Sequence, residues 1–360
     1  MSTIAQPEDA RAQRQAGCRV TLNSMREWRA IVARYQVPSL RLAIGQIANT
    51  LIPLAAVLVL MYFSLSWPRW VTLTFSLPAA GLLVRTFIIM HDCAHGSFLR
   101  QRRANEIIGY LTGVITLTPF GQWRHEHAIH HATSGDLDRR GHGDIVTLTV
   151  TEYLARSRWQ RLTYRLYRNP AVMLGLGPFY LVFGQRLPKL SRATGSAQNR
   201  SVWLTNAGVA IVATAVVLWL GWKAVVWIYV PAVYLSAVAG IWLFYVQHQF
   251  DDACWERHEA WDYPVAAVTG STCLKLPGVL QWFTGNIGLH HVHHLGSRIP
   301  NYHLQRCHDE NPLFQIAPTL TLWQSLRLAR LALWDEAERR LVSFSEMRAA
   351  RAGSRRGAAA

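Results

Sequence analysis

The chain has 360 residues, 51% hydrophobic and only 16% charged, with a formal net charge of +16, whereas a soluble domain of average composition carries about 25% charged residues. So basic a chain calls for an anionic partner, either nucleic acid or a membrane surface. The long apolar stretches exclude the soluble nucleic-acid binder, which has no use for them, and the 15 Trp and 12 Tyr suit a lipid–water interface.

Residues 1–38 are polar and mixed in charge, so no cleavable signal is legible and the first apolar segment is expected to remain as an anchor. Within them Leu22, Met25, Trp28, Ile31, Val32 and Tyr35 recur at helical spacing, as on an amphipathic helix lying at a surface. A membrane span needs about 20 mostly apolar residues. Four segments meet that need: Leu40 to Leu65, Trp70 to Met90, Val202 to Leu220 and Ala224 to Val246. They form two hairpins, with short, almost uncharged turns at Ser66–Arg69 and Gly221–Lys223.

The segments outside the spans are basic. Arg100, Arg102, Arg103, Arg124, Arg139 and Arg140 follow the first hairpin, a further set runs from Arg156 to Lys189, and the C-terminal region holds Arg327, Arg330, Arg339, Arg340, Arg348 and Arg351. By the positive-inside rule these segments and both termini are expected in the cytoplasm of a cell membrane. Three shorter apolar pieces, Ile107–Phe120, Ala171–Phe183 and Val265–Phe283, read as interfacial or re-entrant. The resulting division is a cytoplasmic N-terminal segment (1–38), a membrane domain (39–345) and a basic, disordered tail (346–360). The expected fold is all-α, four transmembrane helices in two hairpins under a cytoplasmic helical cap. The five cysteines, Cys18, Cys93, Cys254, Cys273 and Cys307, show no CxxC pair and read as isolated thiols.

Histidines carry the chemistry. Most of the 15 fall in three clusters: His91 and His95 at the inner end of the second span; His127, His130 and His131; and His290, His291, His293 and His294. A separate His248 ends the fourth span. On a helix, residues three and four apart share a face, so each HxxHH run presents three imidazoles together. Imidazole suits Zn, Cu, Fe and Ni, and eight clustered imidazoles are too many for one four-coordinate zinc. With the span ends on one side, all four groups can meet at one membrane-proximal site. Asp92, Glu126, Asp251, Asp252 and Asn286 are candidates to orient the ligand rings. His142, His258, His303 and His308 read as ordinary surface or core residues. Arg85, within the second span, is expected to snorkel to the inner interface or to help hold a lipid head group or an acid.

The motifs HDCAHGSF from His91, HAIHH from His127, QHQFDD from Gln247 and NIGLHHVHHLGSRIPNYHL from Asn286 resemble those of the membrane fatty acid desaturase family, over roughly Leu40 to Leu320. The last motif is similar to bacterial and cyanobacterial acyl-lipid desaturases of the Δ12 (omega-6) type. The resemblance implies two iron ions held by His91, His95, His127, His130, His131, His290, His293 and His294, with His248 as a ninth ligand. It leaves His125 and His291 outside the set. It also implies O₂ as co-substrate, removal of two vicinal hydrogens from an acyl chain, and a membrane lipid or another acyl carrier as substrate. No cytochrome, dinucleotide-binding or iron–sulfur motif is present in the sequence. Electrons are therefore expected from a separate acidic carrier docking on the basic surface; the resemblance implies a ferredoxin or a cytochrome b5-like protein. A desaturase of other regiospecificity (Δ9 or Δ5), or a hydroxylase or other oxygenase on the same scaffold, is the near alternative. A metal transporter is the distant one, disfavoured because it would place ligands near mid-span.

Overall fold

The structure is a computed structural model that describes residues 27–141, 143–188 and 195–357. The helical face expected between Leu22 and Tyr35 lies partly outside those residues; what is described of it is a short helix, α1 (Trp28–Ala33), whose Val32 is buried. Two long helices follow, α2 (Leu40–Phe63) and α3 (Arg69–His95). Ser39 caps α2 by accepting from the Leu42 backbone N–H. Next come α4 (Arg102–Ile115), α5 (Phe120–Thr133) and α6 (Pro170–Phe183), then two more long helices, α7 (Ser196–Leu220) and α8 (Val230–His248). The last three that matter for the site are short: α9 (Tyr263–Thr269), α10 (His290–Leu295) and α11 (Asn301–Glu310).

Among the described residues four helical stretches are long and apolar enough to cross a membrane: Leu40–Ser66, Arg69–His95, Ser196–Leu220 and Trp222–His248. The second is the central one. Its most apolar window is 61% buried, against 17–22% for the other three, because α2, α4 and α8 all pack against α3. The other spans expose large apolar side chains such as Ile52, Phe63, Leu218 and Trp219, as lipid-facing helices do. In the fourth stretch a π-turn at Val225–Tyr229 sits beside Pro231, which has no N–H to give to the regular ladder.

The chain is mostly helical, and the all-α expectation needs one correction. Short strands are present: β1 (Leu148–Thr149), β2 (Cys273–Lys275), β3 (Thr319–Thr321), β4 (Leu331–Asp335) and β5 (Arg340–Ser343). They form a three-stranded sheet ordered β1-β4-β5 and a two-stranded parallel pair, β2-β3. Leu148 pairs with Leu333 across more than half the chain, and strands this short leave too little alternation to be read from sequence. Arg168 ties this sheet to α8. It is buried and donates to Gln249 Oε1 at 2.7 Å, to the Leu331 carbonyl at 2.9 Å and to Thr147 Oγ1 at 3.2 Å.

Two further expectations change. The piece Val265–Phe283 is not one interfacial segment. Its first half, residues 265–269, is the buried part of α9, whereas the short helix Gly278–Phe283 exposes Val279, Leu280 and Trp282. The tail read as disordered from 346 is helical from Phe344 to Gly357. Ser343 and Glu346 exchange side-chain-to-backbone hydrogen bonds at its start, a capping box that the Ser-x-x-Glu pattern could have revealed. Cys93, Cys273 and Cys307 are buried free thiols, and Cys18 lies outside the described residues.

Candidate metal centre

Helix ends place the histidines. Helix α3 runs through His91 and stops after His95 because Gly96 takes a left-handed conformation (φ 67°), its N–H and that of Ser97 closing on Asp92 and Cys93 carbonyls. His248 is the last residue of α8. Helices α5 and α10 carry the two HxxHH runs, and both face the ends of α3 and α8.

All nine named histidines fall in two groups. His91, His95, His127, His131 and His293 form the first; His130, His248, His290 and His294 form the second. Within each group the nearest ring nitrogens all lie within 4.8 Å of one another. The two groups adjoin: the His131 and His294 rings stack with centroids 4.2 Å apart. Each HxxHH run is divided between them, which the expectation of one shared face did not foresee. Helical geometry explains the division. At about 100° per residue, positions i and i+4 lie about 40° apart, whereas i+3 lies about 100° from i+4. So His127 and His131 go together and His130 turns to the other group; His290 and His294 go together and His293 turns away.

The donor set fits a first-row metal ion in each group. Nε2 of His127 lies 3.1 Å from Nε2 of His91 and 3.1 Å from that of His131, which is 3.0 Å from His293 Nε2. In the second group His248 Nε2 lies 2.9 Å from His290 Nε2 and 3.2 Å from His130 Nε2. Nitrogens about 2.1 Å from one ion and about 90° apart are separated by about 3.0 Å. Nε2 of His95 and of His294 are buried with no hydrogen-bond partner, an arrangement that is costly unless something else takes the lone pair. Loss of water, with smaller effects from neighbouring imidazoles, holds His127, His131, His290, His293 and His294 well below the usual histidine range. Neutral imidazole is the ligand form.

Some rings are held from behind. Asp92 Oδ1 lies 3.1 Å from His91 Nδ1, while its Oδ2 accepts from the Asn301 backbone N–H at 2.6 Å and from Asn301 Nδ2 at 2.8 Å. Asn286, at φ 61°, donates to the Asn301 carbonyl at 3.1 Å, so it acts one step further out. Asp144 Oδ1 lies 3.3 Å from His130 Nδ1, and the Ser134 hydroxyl lies 3.5 Å from His248 Nδ1. Trp123 stacks on His127 at 4.2 Å, and Phe244 stands against His130 at 5.1 Å.

Of the candidate orienting residues, Asp92 is therefore in contact and Asn286 is indirect. Glu126 is half-buried on α5 one residue before His127, about 100° round the helix from it. Asp251 and Asp252 are exposed: α8 ends at His248, so the acids that follow leave its face. Sequence reasoning missed Asp144, Ser134 and Asn301. Only Asn301 lay within a quoted motif, and the other two reach the site through loops that no periodicity marks. His125 is exposed, and His291 pairs with His308 at 3.1 Å outside both groups. His258 pairs with Asp136, His303 is half-buried, and His142 lies outside the described residues. Arg85 does not reach for the surface; it is buried against α2 and Trp282.

The sequence pattern of the family described as fatty acid desaturase matches residues 65–323. A relative from Bacillus subtilis named fatty acid desaturase is 46% identical over 314 residues, 87% of this chain and 89% of the relative. The chain belongs to the fatty acid desaturase family. It is accordingly an oxidoreductase of lipid metabolism, with histidine clusters able to hold metal. More distant relatives include an sn-1 oleoyl-lipid 12-desaturase of Anabaena variabilis, 26% identical over 262 residues, 68% of this chain and 70% of that one. An sn-1 acyl-lipid omega-3 desaturase (ferredoxin) of Synechocystis is 29% identical over 235 residues, 61% of each chain.

Proposed function

We propose that the chain is a di-iron acyl-lipid desaturase that places a cis double bond at the Δ12 position of an already monounsaturated chain. One O₂, two electrons from an acidic carrier and two protons take up the two hydrogens removed, leaving an alkene and two waters. The two adjoining groups of five and four imidazoles carry this reading, because they offer separate, mostly buried seats for two ions. Iron held there supplies the oxidant that an unactivated C–H bond demands and that side-chain acid–base chemistry cannot provide.

The chain's own residues do the rest. His91, His95, His127, His131 and His293 hold one ion; His130, His248, His290 and His294 hold the other. Asp92, fixed by Asn301, keeps the proton of His91 on Nδ1 so that Nε2 faces the first group. Asp144 does the same for His130. Trp123 and Phe244 wall the groups and keep water out.

The four spans form two hairpins with both termini, the basic segments and the metal centre on the cytoplasmic side of the cell membrane, under a cap of shorter helices and strands made of the remaining segments of 39–345. The basic bias of every long segment supports that orientation. Lateral diffusion delivers a lipid-bound chain to such a site without a soluble carrier. The name of the Anabaena relative, an oleoyl-lipid 12-desaturase, supports the position, and that of the Synechocystis relative supports ferredoxin as donor. The test is expression in a host lacking polyunsaturated lipids, fed labelled oleate, with double bonds mapped in the phospholipids. Linoleate is the expected product. Unsaturation only in saturated chains, or a hydroxylated product, would refute the Δ12 assignment.

A further inference from the structure

A cavity of about 520 Å³ lies beside the first turns of α2, away from both histidine groups, lined in part by Arg41, Gln46, Asn49, Arg85, Trp282 and Tyr302. Three observations mark it as built for an anion. First, Arg85 is 7% exposed and carries a charge with only neutral partners: its Nε donates to Thr50 Oγ1 at 3.1 Å and its Nη2 to Asn49 Oδ1 at 3.5 Å, and Nη1 donates to the Trp282 carbonyl. The guanidinium also lies 4.2 Å over the Trp282 ring. No carboxylate lines the cavity, and among the described residues none pairs with Arg85. A buried charge left without a counter-ion is costly.

Second, Gln46 is 4% exposed, and neither its amide oxygen nor its amide nitrogen has a partner. Gln46 lines the cavity and brings to it one acceptor and one donor that no group among the described residues takes up. Third, the mouth opens on apolar surface. Arg41, Leu42 and Asn49 on α2 are exposed, and the neighbouring helix Gly278–Phe283 exposes Val279, Leu280 and Trp282. From Arg41 to Asn49 the helix rises about 12 Å, the depth over which a bilayer passes from head groups into hydrocarbon. The positive end of α2 faces the same region.

We infer that this cavity binds the phosphodiester of an anionic glycerophospholipid whose head group carries a free hydroxyl, as phosphatidylglycerol does. Arg85 and Arg41 hold the phosphate, Gln46 Nε2 donates to a phosphate or ester oxygen, and Gln46 Oε1 accepts from the head-group hydroxyl. A choline head would leave that oxygen unpartnered. On the far side the cavity is lined by Asn286 and Asn301, the pair behind Asp92 and His91. The choice of a lipid ligand rests on the acyl-lipid reading above. Binding is read without turnover, so failure of that reading and failure of the site are separate outcomes.

The experiment is calorimetric titration of the iron-loaded full chain in detergent with dihexanoyl phosphatidylglycerol, dihexanoyl phosphatidylcholine and inorganic phosphate. Phosphatidylglycerol should bind saturably at one per chain, and at least about tenfold more tightly than either of the others. Gln46→Leu should weaken it about tenfold while raising the melting temperature of the lipid-free protein, because two buried unpartnered atoms are removed. Arg85→Gln should weaken it further, and Gln46→Leu keeps the test decisive if that variant fails to fold. Wild-type affinity in Gln46→Leu, equal affinity for phosphatidylcholine, or equal affinity for inorganic phosphate would each overturn the assignment.

Discussion

Asp92→Asn isolates the orientation of one ligand from its presence. In the wild type, Oδ2 accepts two hydrogen bonds from Asn301, at 2.6 and 2.8 Å, while Oδ1 faces His91 Nδ1 at 3.1 Å. The asparagine is nearly isosteric. Its single oxygen must take the position that meets Asn301's two donors, since an NH₂ there would face N–H groups. Its NH₂ then faces His91 Nδ1, and two donors cannot meet, so His91 is driven to the tautomer protonated on Nε2. That nitrogen is the one 3.1 Å from His127 Nε2, and with its lone pair occupied it no longer serves the first group. Loss of such a supporting contact lowers metal affinity about 10- to 100-fold, or about 1.4 to 2.8 kcal/mol. Iron retained by purified protein during dialysis against a graded chelator series would measure it, with circular dichroism confirming an intact fold. An affinity within about twofold of wild type would refute the tautomer argument.

Substituting His131 or His294 by Ala should remove at least half of the bound iron and abolish activity, whereas His125→Ala, at an exposed position, should leave both near wild type; elemental analysis and product assay decide. Metal-free protein should lose stability in acid. Unfolded imidazoles take up protons below about pH 6.5, but burial pushes His291 down to about 3 and holds His127, His131, His293 and His294 well below their usual range. Stability is therefore fully present above about pH 6.5 and falls as pH drops, by up to about 1.4 kcal/mol per unit for each group; a melting temperature flat from about pH 7 to about pH 4 would contradict this. Arg168→Met should destabilise by about 1 to 3 kcal/mol, read by thermal melting, because buried hydrogen bonds to Gln249, Thr147 and Leu331 are lost while the Leu331 carbonyl keeps the Tyr245 hydroxyl and Gln249 Oε1 keeps that of Thr147. Reporter fusions at Ser66 and Gly221 should read as external, and a cytoplasmic signal from either would overturn the hairpin topology.

The spans were legible because about 20 apolar residues in a row have few other uses, and Leu40 to Leu65 and Val202 to Leu220 emerge within a few residues of the helices that contain them. The second and fourth spans run past their expected ends at Met90 and Val246, and it is those last turns that carry His91, His95 and His248. A hydropathy pattern ends where polar side chains begin, whereas a helix ends where its backbone does, here at Gly96. Eight of the nine histidines stood out by number and spacing, whereas isolated His248 was assigned only through the family resemblance. Their division into five and four follows from helical angle alone, but only once α5 and α10 are known to lie between the two groups. Two of the acids failed for the opposite reason. Asp251 and Asp252 are near His248 in sequence and leave it because the helix stops, while Asp144 and Asn301 reach their partners through folds of the chain that no local pattern records. Burial of Arg85 likewise depends on Trp282, nearly two hundred residues away.

Metal analysis of purified, active protein tests the di-iron centre most directly. Two groups of imidazoles should give iron near two per chain, lost together with activity on chelation and restored together on adding ferrous iron. Stoichiometric zinc in a fully active protein, or full activity in protein stripped of iron, would contradict it.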